Sequence, residues 1–148
     1  MADPIHQFEI HKIFTIGHIG GHEIAFTNSS AYMFGIVAII SLLMIGGSAG
    51  RRLVPNRFQS LAELSYEFVA NMLRDSAGEE GMRFFPFVFT VFMFVMTANL
   101  IGIIPYAFTV TSHLIVTLSL ALLVFLTVFL YGLYKNGLKF FKLFVPHG

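Results

Sequence analysis

The sequence predicts an all-α, polytopic membrane protein with three transmembrane helices and one amphipathic surface helix. Of its 148 residues 56% are hydrophobic and only 11% are charged, and the mean hydropathy is +0.78. An average soluble domain carries roughly 25% charged residues, so this chain has too few charged residues to form a water-exposed surface. The apolar residues also form long uncharged blocks instead of recurring at the period of a half-buried helix or strand.

The first segment, 1–30, is predicted to be an outer-side tail. It is rich in His and Gly, and it is expected to be irregular, with room for a short strand or turn at 16–26. It lacks the basic start and apolar run of a cleavable signal peptide. His18 and His22 are four residues apart, but Gly20 and Gly21 between them argue against a metal-binding helix, so no metal site is predicted.

The first predicted transmembrane helix occupies 31–50, where no charge occurs between Ala31 and Ala49. At 1.5 Å per residue this run just covers a hydrocarbon core of roughly 30 Å. Oxygens that could cap its start are offered by Asn28, Ser29 and Ser30. Gly46, Gly47 and Gly50 are expected to loosen its far end.

A basic turn with Arg51, Arg52 and Arg57 leads into the predicted surface helix, 56–77. Ser60 with Glu63 has the spacing of a capping box and is expected to start this helix. Side chains recur along one side at intervals of three and four residues, and all of them except Ser65 are apolar: Phe58, Leu61, Ser65, Phe68 and Met72. A helix of this kind lies along a membrane surface or against partner helices; an ordinary packed helix is the alternative interpretation.

No Asp, Glu, Lys or Arg occurs between Phe84 and Tyr134, a run of about 50 residues that suits two spans. We predict transmembrane helices at 84–108 and 114–134. The helical structure is expected to break at 105–113, which includes the last residues of the first range, because a proline and four polar residues cluster there. Pro86 is expected in the first turn of its helix, where a missing N–H costs little. The remaining segment, 135–148, is predicted to lie on the inner side.

Orientation follows from the basic residues. Eight of the nine Lys and Arg residues follow the first span, in the segment between the first two spans and after the third, and none lies between the second and third. By the positive-inside rule the N-terminus and the loop near His113 face outward, and the surface helix and C-terminus face inward.

Two polar residues are candidates for function. Serine and threonine in membrane helices usually bond to their own backbone, but the Asn99 amide cannot be satisfied fully in that way. Asn99 is therefore either a clasp between helices or part of a polar ion path. His113 lies at the outer mouth between two spans, and histidine titrates near neutral pH; an ordinary interfacial histidine is the alternative. Soluble catalytic motifs and cysteines are lacking, and neither a cofactor nor a nucleic-acid partner is expected.

A resemblance rests on the order of several sequence pieces: RFFPFVF (83–89), NLIGIIPY (99–106) and TSHLIVTLSLAL (111–122). PIHQFEI (4–10), the amphipathic stretch 58–75 and LKFFKLFVPHG (138–148) agree with it. The chain resembles the N-terminal part of subunit a of F-type ATP synthases, and the alphaproteobacterial and mitochondrial branch is the most similar.

The resemblance implies a non-catalytic stator subunit in the cell or mitochondrial inner membrane. Its partners would be the c-ring proteolipids, the peripheral-stalk b subunits and lipid. Asn99 and His113 are the positions that the resemblance carries over to the outer-side proton half-channel. The family's essential arginine is expected on a hairpin beyond Gly148, and Arg74 should not be mistaken for it. This chain alone is therefore not expected to conduct protons vectorially.

Two other functions stay open at this point. One is a membrane assembly or scaffold protein that transports nothing, in which Asn99 and His113 would tolerate substitution. The other is part of an unrelated permease, which would need polar residues deep in the spans or paired helix breaks.

Overall fold

The computed structural model describes residues 9–19, 22–49, 55–104 and 107–144. The predicted basic turn at Arg51 and Arg52, the predicted break at Pro105 and the last residues, 145–148, lie outside the described residues. Two compact units, Met1–Thr111 and Ser112–Gly148, make up the chain. Three of its helices are long and apolar enough to cross a membrane, which confirms the predicted fold class.

The tail before the first span is more regular than predicted. Strands β1 (Lys12–Ile19) and β2 (His22–Thr27) form an antiparallel hairpin with two irregularities in its register. The expectation of an irregular tail was therefore wrong, but the short strand or turn allowed at 16–26 is present as parts of β1 and β2. Ile, Phe and Thr, which favour β-structure, make up half or more of each strand.

Helix α1 (Asn28–Ser48) follows β2 directly and is capped by Thr27, not by one of the three residues predicted for that role. The Thr27 hydroxyl accepts a hydrogen bond from the Ser30 backbone N–H at 3.3 Å. Asn28 instead joins the helix to the hairpin: its side chain accepts from the His11 N–H at 3.1 Å and donates to the Glu9 carbonyl at 2.9 Å.

Gly47 does not loosen the end of α1 as expected. It is a buried residue of α1, and a Cβ at this position would lie 2.7 Å from the Ala62 Cβ. Glycine at this position therefore lets the backbone of α1 approach the next helix closely, as small residues do at membrane helix contacts.

Helix α2 (Arg57–Gly81) begins earlier than the predicted capping box. Asn56 is the N-cap, and its side chain accepts from the Arg57 N–H at 2.8 Å. Ser60 consequently lies one turn inside the helix. The helical backbone is broken at Gly78, where φ is 68°, a conformation that glycine adopts at little cost.

Helix α3 (Phe85–Gly102) follows a short 3₁₀ turn, and Pro86 lies in its first turn as predicted. The α-helix ends at Gly102, six residues before the predicted end of the span at 108. Helices α1, α2 and α3 pack together with the hairpin as the first unit. Its buried apolar side chains come from all three helices and from the segment that follows α3: Ile36, Val69, Ala70, Met93, Ala98, Phe108 and Val110.

The second unit consists of helix α4 (Leu114–Asn136) and a 3₁₀ segment, Gly137–Phe144. Gly137 has a φ of 53°, which turns the chain after α4. Phe140 then packs against α4: its ring centroid lies 5.8 Å from that of Phe129, and its ring covers Gly132.

Candidate polar site at the end of helix α3

Most hydroxyl groups in the three apolar helices bond to their own backbone. Thr90 donates to the Pro86 carbonyl at 2.7 Å, and Thr127 donates to the Leu123 carbonyl at 2.7 Å. Ser48, Thr117 and Ser119 do the same. This confirms the prediction that such residues are satisfied locally, and their donor hydrogens are committed within each helix.

Asn99 behaves differently. Its side-chain oxygen accepts a hydrogen bond from the Thr111 hydroxyl at 2.9 Å, a bond between side chains twelve residues apart. Asn99 is solvent-accessible, and Thr111 lies in a 3₁₀ turn, Val110–Ser112. A side-chain amide has two N–H donors and a second acceptor lone pair in addition to that bond. The pair can therefore hold water or another polar group at its surface.

Apolar anchors hold the segment that carries Thr111. Phe108 is 3% exposed and lies against Tyr32 of α1, with ring centroids 5.6 Å apart, and Val110 is buried. A Cβ on Gly102 would lie 2.9 Å from Thr109 Cγ2, so this segment also packs tightly on the end of α3. These contacts position the Thr111 hydroxyl at Asn99.

The position of Asn99 differs from the sequence-based expectation. The predicted span, 84–108, placed Asn99 well before the end of its helix. Because α3 ends at Gly102, Asn99 lies in its last turn, and its partner Thr111 is two residues before His113 in the chain.

His113 opens the second unit as the N-cap residue of α4, with an extended backbone (φ −83°, ψ 120°) and a half-buried side chain. Its carbonyl accepts from the backbone N–H groups of Val116 at 3.0 Å and Thr117 at 3.2 Å. The imidazole makes no capping bond to α4. The backbone of His113 thus starts the helix, and the capping of α4 does not use its imidazole.

The predicted apolar stripe of α2 is largely exposed, although the ring centroid of Phe68 lies 5.6 Å from that of Phe92 of α3. Phe58, Leu61, Phe68 and Met72 are 67%, 53%, 58% and 40% exposed. A second face, with Gln59, Val69 and Ala70, is buried. The helix therefore has an apolar outer side, a side packed on its own chain and a polar side with Glu63, Glu67 and Arg74. What covers the stripe stays a prediction.

Sequence reasoning missed Thr111 as the partner of Asn99 and Gly102 as the point of close approach. The cluster of polar residues after Pro105 was visible in the sequence, but the sequence did not show which of them would bond to Asn99. A glycine three residues after the one strongly polar residue of a span, followed by a proline, was the available signal that the chain turns back there.

Together these features define a polytopic helical membrane protein with a polar side-chain pair where one of its spans ends. The family model for the ATP synthase A chain matches residues 30–147. The chain belongs to that family, which confirms the resemblance seen in the sequence.

Curated relatives agree with this assignment. The chain is 76% identical over 148 residues to an ATP synthase subunit a of Afipia carboxidovorans and 75% identical over 147 residues to one of Rhodopseudomonas palustris. A Nitrobacter winogradskyi protein of the same name is 70% identical over 148 residues. The alignments cover 99–100% of this chain and 59% of the relatives, so the chain spans about three fifths of their length.

Proposed function

We propose that this chain forms part of the outer-side proton half-channel of an F-type ATP synthase, beside the c-ring. Its partners would be the c-ring proteolipids and the peripheral-stalk b subunits, in a cell or mitochondrial inner membrane. Family membership supports the general role, and the Asn99–Thr111 pair is the observation that carries the local one. Asn99 bonds to a side chain twelve residues away, whereas Thr90, Ser119 and Thr127 bond to carbonyls of their own helices.

The chemistry of the two positions suits proton entry in different ways. An amide and a hydroxyl do not take up protons at neutral pH, but both donate and accept hydrogen bonds and can order a chain of water molecules. Histidine is the side-chain type whose unperturbed charge change falls between about pH 5 and 8, so it can accept a proton and release it. In this proposal His113 admits protons and Asn99 with Thr111 orders the water that carries them further.

The test is proton-driven ATP synthesis in vesicles that contain the complex with a full-length subunit. His113→Ala and Asn99→Leu are compared with the wild type at outer pH values from about 5.5 to 8, a window around the unperturbed histidine pKa of roughly 6.5. Ser119→Ala is the control, because its hydroxyl bonds to its own helix. Slower synthesis is expected for the first two variants only, and an altered pH profile is expected for His113→Ala, because histidine titrates in this range and an amide does not. Wild-type rates in both, with normal assembly, contradict the proposal.

The proposal includes an orientation, with the N-terminus and the loop before α4 outside and the C-terminal segment inside. The chain has no cysteine, so single cysteines at Ser112 and Asn136 can be tested with an impermeant thiol reagent in intact cells. Labelling at Ser112 and protection at Asn136 are expected. The opposite pattern contradicts the orientation.

A membrane assembly role without transport is the second candidate, and family membership argues against an unrelated permease. The exposed stripe on α2 favours a docking function for that helix. In the same vesicles, an assembly role predicts that Phe68→Glu lowers the amount of complex while His113→Ala and Asn99→Leu leave the rate per complex unchanged. The proton-path proposal predicts slower synthesis per assembled complex in those two variants.

A further inference from the structure

The hairpin before α1 has two chemically different faces. Residues paired across the strands share a face, and the register pairs Phe14 with Phe26, Thr15 with Ala25 and His18 with Glu23. Because side chains alternate along a strand, the first pair lies on the face opposite to the other two.

Contacts in the structure agree with this division. On one face the rings of Phe14 and Phe26 stack with centroids 5.1 Å apart, and Phe14 is 56% exposed. On the other face the Lys12 ammonium donates to the Glu23 carboxylate at 2.6 Å. One face is therefore aromatic and open, and the other carries a charged pair together with Thr15 and His18.

The aromatic face continues onto the first transmembrane helix. The ring of Phe26 stacks on that of Phe34 of α1, with centroids 6.0 Å apart, and Phe34 is 69% exposed. Leu42 and Ile45 are also exposed on this helix, which is long and apolar enough to cross the membrane. A stacked row of Phe14, Phe26 and Phe34 thus extends from the hairpin to an exposed apolar surface of α1.

The hairpin is also fixed relative to that helix. Strand β2 ends at Thr27 and α1 begins at Asn28 with no linker. The Asn28 N–H donates to the His11 carbonyl at 3.1 Å, and the Asn28 side chain bonds to the backbone of His11 and Glu9, which lie just before β1. The hairpin therefore extends directly from the N-terminal end of α1, and its aromatic face is continuous with the exposed apolar surface of that helix.

We propose that this aromatic face lies on the lipid bilayer, in the interfacial region of the leaflet at the N-terminal end of α1. Burial in lipid removes the apolar rings of Phe14 and Phe26 from water, while the charged pair on the opposite face stays in water. The lipid would also stabilise the fold locally, because an isolated two-stranded hairpin is only marginally stable in water. The proposal rests on continuity with the exposed apolar surface of α1, and it does not depend on the proton path.

Because the chain contains no tryptophan, single-tryptophan variants give an unambiguous test. Phe14→Trp and the control Thr15→Trp, which probes the opposite face one residue away, are reconstituted in phosphatidylcholine vesicles containing lipids with brominated acyl chains. Brominated lipid is expected to remove at least about half of the emission of Phe14→Trp, with a blue-shifted maximum, and little from Thr15→Trp, as an interfacial aromatic face requires. Equal quenching in both variants overturns the proposal.

A second measurement separates lipid from a protein that covers the same face in the complex. A photoreactive benzoylphenylalanine replaces Phe14 in the full-length subunit of the assembled complex in native membranes. Adducts with the mass of a phospholipid are expected. A cross-link to another subunit as the main product contradicts lipid as the occupant.

Discussion

Helices α3 and α4 are similarly apolar spans, but α3 contains one polar residue, Asn99, whose side chain bonds outside its helix. In α4 the hydroxyls of Thr117, Ser119 and Thr127 bond to carbonyls of the preceding turn. In α3 the side chain of Asn99 instead bonds to Thr111, beyond the end of the helix. The first arrangement leaves a plain membrane helix, and the second builds a polar site.

Two physical differences account for this contrast. A hydroxyl is short and has one hydrogen to donate, so one carbonyl in the same helix satisfies it. An amide has more bonding capacity than the helix can satisfy, and Asn99 lies three residues before the end of α3, where the returning chain brings another polar side chain within reach. The partner that a polar side chain in a span finds thus depends on its bonding capacity as well as on its distance from the helix end.

The largest effect is expected from filling the close approach between α3 and the segment that carries Thr111. In Gly102→Val the added carbons meet Thr109, whose nearest atom is 2.9 Å from the new Cβ. Overpacking of this kind costs about 1–3 kcal/mol and would move Thr111 away from Asn99. We expect a lower thermal stability of the chain in detergent.

Gly46→Val is the matched control for that substitution, because it is the same exchange near the end of α1 at a position with no other atoms within 4 Å. It should leave the thermal stability nearly unchanged. Equal losses in the two variants would show that helix propensity, and not the packed turn after α3, determines the effect.

A smaller effect is expected from removing one hydrogen bond. Thr111→Val keeps the shape of the side chain but loses the bond to Asn99. Hydrogen bonds between membrane helices contribute about 0.6 kcal/mol on average and at most about 1.7 kcal/mol. Thr127→Val in α4 removes a bond within one helix, and its effect should stay within about 0.5 kcal/mol.

Two further variants sharpen this comparison. Thr111→Ser retains the hydroxyl and should restore most of the stability. A double-mutant cycle with Asn99→Ala should show that the two substitutions are coupled, because each removes the same bond. Additive effects, or a larger loss for Thr127→Val than for Thr111→Val, would mean that Asn99 and Thr111 do not form a unit.

The spans could be predicted because the charge and hydropathy of a segment depend only on the residues that it contains. The sequence also singled out Asn99, since an amide in an apolar run is conspicuous. It failed where the outcome depended on contacts between distant residues: nothing in the sequence pairs Thr111 with Asn99 or places Ala62 against Gly47. Of the hairpin, only a short strand or turn at 16–26 was predicted, because glycine and histidine interrupt the pattern of apolar residues. The N-cap of α2 was misplaced because Asn56 precedes the more conspicuous Ser60.

The smallest effect is expected where a similar bond between side chains lies in water. The Lys12 ammonium donates a hydrogen bond to Glu23, and this bond together with the positive charge lowers the pKa of the Glu23 carboxyl below its usual value. A lowered folded-state pKa means that the ion pair contributes its stability above the unperturbed glutamate pKa of about 4.3. That contribution is lost as the pH falls through the lower folded value.

Titration of the Glu23 carboxyl carbon by NMR, in the chain labelled at glutamate, measures this shift directly. We expect a midpoint below the ordinary glutamate value of about 4.3 and its return to that value in Lys12→Gln. Because both groups are exposed and screened by solvent, Lys12→Gln should change the thermal stability of the chain less than Thr111→Val does. A larger change in stability for Lys12→Gln than for Thr111→Val would show that exposure to water does not determine how much each bond stabilises the chain. The position of the Asn99–Thr111 pair at the end of a span would then not explain its expected larger contribution.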